Sequence, residues 1–125
     1  MKISSFNPMI LSPKADDAIR LFEELGFERR HSPTVDTGKS MVTSVRMENE
    51  DGFCVDVAGV EKLPRDMTII RMNVDDFDEA FRELTARGFT SSRNDGQFVE
   101  TETSKSTLMT SPSGFAFDLC QHIRN

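Results

Sequence analysis

Apolar residues recur along this chain in two periods, and the switch between the periods marks its elements. Residues 6–11, "FNPMIL", and 67–74, "MTIIRMNV", are short apolar runs and predict strands. Polar residues suited to a helix start follow each of them, Ser12-Pro13 and Asp75-Asp76, with Ser12 or Asp75 as the expected cap. Apolar positions then fall three and four apart: Ala15, Ala18, Ile19, Phe22 and Leu25, and later Phe77, Ala80, Phe81 and Leu84. That spacing puts one apolar stripe on each helix. Gly26 and Gly88 close the helices, and Phe27 and Phe89 open second strands. Polar loops containing Pro33 and Gly38, or Asn94-Asp95-Gly96, lead to third strands, "SMVTSVRME" and "STLMT". The turns "NEDG" and "SPSG" lead into fourth strands, "GFCVDV" and "GFAFDL". The order is β-α-β-β-β, twice.

The two passes are copies of one unit. At a fixed offset, "DDAIRLFEELGF" falls on "DEAFRELTARGF", so that Asp16, Ala18, Arg20, Gly26 and Phe27 recur as Asp78, Ala80, Arg82, Gly88 and Phe89. At the same offset Gly52, Phe53 and Asp56 recur as Gly114, Phe115 and Asp118, and Ser44 and Met47 as Ser106 and Met109. Two ungapped blocks in one register indicate duplication of a supersecondary unit, with a period too long for a solenoid. The expected organisation is a single domain over 1–125. It holds a first module at 1–60 and a second at 65–125, with "GVEKLPRD" and its Pro64 as the link.

Strand parity assigns faces. Side chains alternate along a strand, so Phe53, Val55 and Val57 share one face of the fourth strand and Cys54, Asp56 and Ala58 the other. The second copy repeats this with Phe115, Phe117 and Leu119 against Asp118. The apolar face is expected to meet the helix. The expected fold is therefore α+β, two β-α-β-β-β modules forming an open, curved mixed sheet around a cleft, with Asp56 and Asp118 facing that cleft.

Composition narrows the function classes. The chain has 125 residues, enough to bury a core without staples. The net charge is −6, opposite to the basic balance of a nucleic-acid binder, so no nucleic-acid partner is expected. No apolar run is long enough to cross a membrane, and "MKISSFNPMI" has no signal-peptide pattern. A cytoplasmic protein with free thiols at Cys54 and Cys120 is the expectation. Dinucleotide-binding, P-loop and paired C-x-x-C motifs do not occur.

The tandem order resembles the vicinal oxygen chelate superfamily, which includes glyoxalase I, extradiol dioxygenases, fosfomycin-resistance transferases and bleomycin-resistance binding proteins. The resemblance rests on "AIRLFEELGF" after the first strand and on "DGFCVDV" and "SGFAFDL", which look like the family's closing strands. In metal-using members it implies ligands from the first and fourth strands of each unit, which here are Asn7, Asp56, Ile69 and Asp118. The family pattern has His, Gln or Glu at the first and third of these positions and Glu at the other two. Ile69 cannot bind a metal, and Asn7 offers only a neutral oxygen. Asn7, Asp56 and Asp118 could hold a hard divalent ion loosely, but without imidazole they form a poor transition-metal site. The chain also lacks Tyr, and with it the tyrosine acid of ring-cleaving relatives. The resemblance implies a small-molecule-binding protein of the glyoxalase and bleomycin-resistance type without a metal cofactor, in a homodimer. The alternative is a divalent-metal-dependent lyase or dioxygenase with an altered ligand set.

The candidate ligand-binding residues are Asn7, Met9, Asp56, Arg71, Asn73, Asp118 and Cys120, with no assigned catalytic residue. Arg71 stands in a strand that parity buries, where an unpaired arginine is costly. It either pairs with Asp118 or Asp56, the preferred reading, or clamps a ligand carboxylate or phosphate. Asn73 lies next on the same face. Asp118, Cys120 and His122 alternate and share a face, but His122 is close to the C-terminal end of the sequence. His31 reads as a surface loop residue and Arg29-Arg30 as a solvated edge. Met9, Met41, Met47 and Phe98 could line an apolar pocket.

Overall fold

The first of the two leading strands, Ile3–Ser12, extends beyond its apolar run because flanking residues join it, and the second, Met67–Val74, matches its run. A computed structural model describes residues 1–31, 34–36, 41–91, 99–100 and 104–122. The described elements run β1 (Ile3–Ser12), α1 (Ala15–Glu24), β2 (Glu28–His31), β3 (Thr34–Asp36), β4 (Met41–Glu48) and β5 (Cys54–Gly59). They continue with β6 (Met67–Val74), α2 (Phe77–Ala86), β7 (Thr90–Ser91), β8 (Val99–Glu100), β9 (Ser104–Thr110) and β10 (Ala116–His122). The β-α-β-β-β order is present twice, with the short β3 and β8 added to it. Pro33, Gly38, Asn94, Asp95, Gly96 and Phe98, and the side chains of His31, Met41 and His122, lie outside the described residues.

The chain forms two compact units, Asn7–Thr68 and Met1–Phe6 with Ile69–Asn125. Each is α+β, an open mixed sheet with one described helix. In Asn7–Thr68 the strand order is β2-β4-β5-β1, with β5 antiparallel to β4 and parallel to β1. Met47, Val45, Val55 and Val57 pack with Ile19 of α1, and Ala15, Ala18 and Phe22 close over them. In the other unit the order is β6-β10-β9-β7, with β10 parallel to β6 and antiparallel to β9. Met72, Val74, Met109 and Leu119 pack with Phe77 and Ala80 of α2. The helical stripes read from the sequence supply these contacts, as a 3.6-residue period laid over a two-residue period requires.

Several local expectations are corrected. Neither Ser12 nor Asp75 caps a helix. Lys14 occupies the N-cap of α1 without a side-chain bond, while Ser12 Oγ donates to Asp66 Oδ1 at 2.6 Å and accepts from Lys14 N–H. Asp76 caps α2 by accepting from the Glu79 N–H at 3.1 Å, and Asp75 instead accepts from the Lys2 N–H. Leu25 lies past the end of α1 and is exposed, so it leaves the stripe. Phe53 precedes β5 and is 67% exposed, because its N–H is turned onto the Asn49 side chain that closes the hairpin. Met47 belongs to the core against α1 and lines no apolar pocket. His31 ends a strand rather than sitting in a loop.

Gly88 is required twice over. Its φ of +93° lies where L side chains are strained, and an added Cβ would stand 2.9 Å from Pro112 Cγ.

Candidate functional site

Asp56 is 1% exposed at the centre of β5, on the sheet face that does not meet α1. The register places Met9 of β1 opposite it on one side and Arg46 of β4 on the other. Parity adds Asn7, two residues before Met9. These side chains form one hydrogen-bonded chain. Asn7 Nδ2 donates to Asp56 Oδ2 at 2.7 Å, and Arg46 Nη2 donates to Asn7 Oδ1 at 2.7 Å. Asn7 Nδ2 also donates to the Pro8 carbonyl at 2.9 Å. The opposite amide orientation would set oxygen against carboxylate and NH₂ against guanidinium, so the partners determine the orientation. A carboxylate buried this deeply costs several kcal/mol, of order, unless donors meet it.

The second unit holds the other candidates. Arg71 of β6 is in register with Asp118 of β10, and Asn73 with Cys120. Arg71 Nη1 lies 3.9 Å from Asp118 Oδ2, its Nε donates to Asn73 Oδ1 at 3.4 Å, and its Nη2 to Cys120 Sγ at 3.7 Å. Of the two partners left open by the sequence, Asp118 and Asp56, Arg71 pairs with Asp118, although the contact is long and both side chains keep some solvent (13% and 21%). A Arg71→Met, Asp118→Asn double-mutant cycle is therefore expected to give a coupling of about 1 kcal/mol. That is less than the roughly 3–5 kcal/mol of a broken, fully buried pair. Additive melting shifts would show that these charges do not interact.

The structure thus brings Asn7, Met9 and Asp56 together in one unit, and Arg71, Asn73, Asp118 and Cys120 together in the other. It adds Arg46, which the sequence reading passed over. The signal was available: Val45 and Met47 alternate with it as core residues, which puts Arg46 on the face of Asp56.

No protein-family model matches the sequence, and no curated protein matches it significantly. Solved structures do match. Methylmalonyl-CoA epimerase from Mycobacterium tuberculosis superposes with a TM-score of 0.70 at 12% identity, over 96% of this chain and 89% of that one. A second methylmalonyl-CoA epimerase structure gives 0.64 at 19%, over 93% and 92%. A glyoxalase/bleomycin resistance protein/dioxygenase superfamily member from Vibrio splendidus 12B01 gives 0.55 at 17%, over 96% and 99%. This chain has the vicinal oxygen chelate fold. At these identities the likeness is one of fold, and the site has to be argued from its own residues.

Two of the positions at which metal-using members of this fold carry ligands hold an amide and an apolar side chain here, Asn7 and Ile69. Asn7 Oδ1, at the first of them, already faces a guanidinium 2.7 Å away. An ion at coordination distance would stand against that positive charge. Ile69, at the third, is a buried apolar residue. Among the described residues no group of three or more His, Cys, Asp or Glu side chains is placed to hold a metal ion. No helix among them is long and apolar enough to cross a membrane.

Proposed function

We propose that this protein binds a small organic molecule and works without a transition-metal centre, in the manner of the metal-free bleomycin-resistance type. One observation carries the reading. The family's first ligand position in the chain is an amide whose oxygen accepts from Arg46 and whose NH₂ donates to buried Asp56. In a metal-using relative those groups would converge on a cation. Here the cationic partner is a side chain of the protein itself. The same polar face carries Met9 and Ala58, both buried, beside the charged chain.

The competing reading, a divalent-metal lyase or dioxygenase, would need Arg46 displaced and a softer donor set than one amide and carboxylates. Protein purified without a metal-binding tag is expected to carry only substoichiometric Zn, Ni, Mn or Fe by elemental analysis. About one such ion per chain, lost in Asp56→Ala, would overturn the metal-free reading.

A further inference from the structure

The two repeats treat their aspartates alike but place the arginine on opposite sides. Arg46 on β4 and Met9 on β1 flank Asp56, whereas Arg71 on β6 and Leu108 on β9 flank Asp118. The arginines differ in what their donors meet. Arg71 reaches a carboxylate, an amide oxygen and a thiol. Arg46 is half-buried, and among the described residues its acceptor is the neutral Oδ1 of Asn7, with no ion pair. Among the described residues no Arg46 nitrogen is both buried and without a partner, so the N–H groups that Asn7 does not take face solvent, where a ligand or water can meet them.

We propose that Arg46 is the anion-receiving residue of this protein and takes the carboxylate of a small organic acid. The proposal rests on the small-molecule reading above and names the class of ligand. A guanidinium presents parallel N–H pairs that match the two oxygens of one carboxylate. Asn7 acts as a positioning residue. Its oxygen holds Nη2 while Asp56 fixes the amide from behind, so the remaining fork is pre-set. Asp56 is relayed to Arg46 through the amide instead of meeting it directly, which leaves the outer edge of the guanidinium for an external anion. Arg71, the anion clamp considered from sequence, is the weaker candidate because its donors already meet protein acceptors.

The test is a titration of the full-length, ¹⁵N-labelled protein with benzoate, with its neutral isostere benzamide, and with inorganic phosphate. Benzoate is expected to give saturable shifts of the Arg46 Nε–H and Asn7 NH₂ signals. Benzamide and phosphate are expected to bind at least about tenfold more weakly. Arg46→Lys, which keeps the charge but loses the fork, should weaken benzoate by about tenfold, and Arg46→Met should abolish the response. The wild-type signals decide the matter even if Arg46→Met fails to fold. Equal binding of benzamide, an equal or stronger response to phosphate, benzoate shifts that persist in folded Arg46→Met, or no saturable shift at Arg46 and Asn7 would each overturn the proposal. Its failure is separable from that of the metal-free reading, which elemental analysis decides independently.

Discussion

Phe77→Ala is expected to cost about 3–5 kcal/mol of unfolding free energy, the largest effect of any single truncation considered for this chain. Phe77 is the first residue of α2 and is 1% exposed. It belongs to the cluster of Met72, Val74, Ala80, Met109 and Leu119, where its ring stacks on Phe81 with centroids 6.0 Å apart. Lys105 Nζ lies 5.7 Å from the ring centroid, an added cation–π contact. Truncation removes the ring's transfer free energy and leaves a cavity walled by strands β6, β9 and β10, whose ladders limit collapse. Its backbone N–H keeps the bond to Gln121 Oε1, so the helix start itself should survive. Chemical denaturation with an unchanged m-value and a strongly lowered midpoint is the expected result. A loss below about 1 kcal/mol would mean that the ring is not packed in this cluster.

The second large effect is expected at Asn7. Asn7→Leu keeps the branching at Cγ but removes the donor to Asp56 Oδ2 and the acceptor of Arg46 Nη2. Hydrogen bonds to charged partners contribute roughly 1.5–3 kcal/mol each in net terms, so a loss of about 3 kcal/mol is expected. The double variant Asn7→Leu, Asp56→Leu should recover part of it, because removing both members of a buried polar pair costs less than orphaning one. Denaturant melts of the two single variants and the double variant form the check. A double variant no more stable than the sum of the singles predicts would show that Asn7 and Asp56 are not energetically coupled.

Much of the architecture was legible without coordinates. The apolar stripe Phe77, Ala80, Phe81 and Leu84 is the buried face of α2, and strand β6 spans the apolar run 67–74. Local periodicity determines such features, since burial selects side chains at the element's own repeat. Where the reading slipped, a local competition decided. Asp76 rather than Asp75 took the cap because Asp75 is engaged by the Lys2 N–H, a contact between residues far apart in sequence. Phe53 was assigned to the core by parity, but a strand's parity begins only where pairing begins, and the ladder of β5 begins at Cys54.

The candidate site divides in the same way. The duplicated aspartates, the polar face they occupy and an asparagine rather than an imidazole at position 7 follow from the sequence alone. They depend on residue type, strand parity and repeat register, all of which are local. The partners of those aspartates do not follow. That Asn7 turns its amide between Asp56 and Arg46, and that Arg71 meets Asp118 instead, depends on which strands lie side by side and in what register. Pairing of β1 with β5, and of β6 with β10, joins strands distant in sequence and leaves no local signature, whereas the hairpin that sets Arg46 opposite Asp56 is local. The tertiary structure sets β1 on the side of β5 away from the β4 hairpin, and so places the Asn7 amide between Asp56 and Arg46.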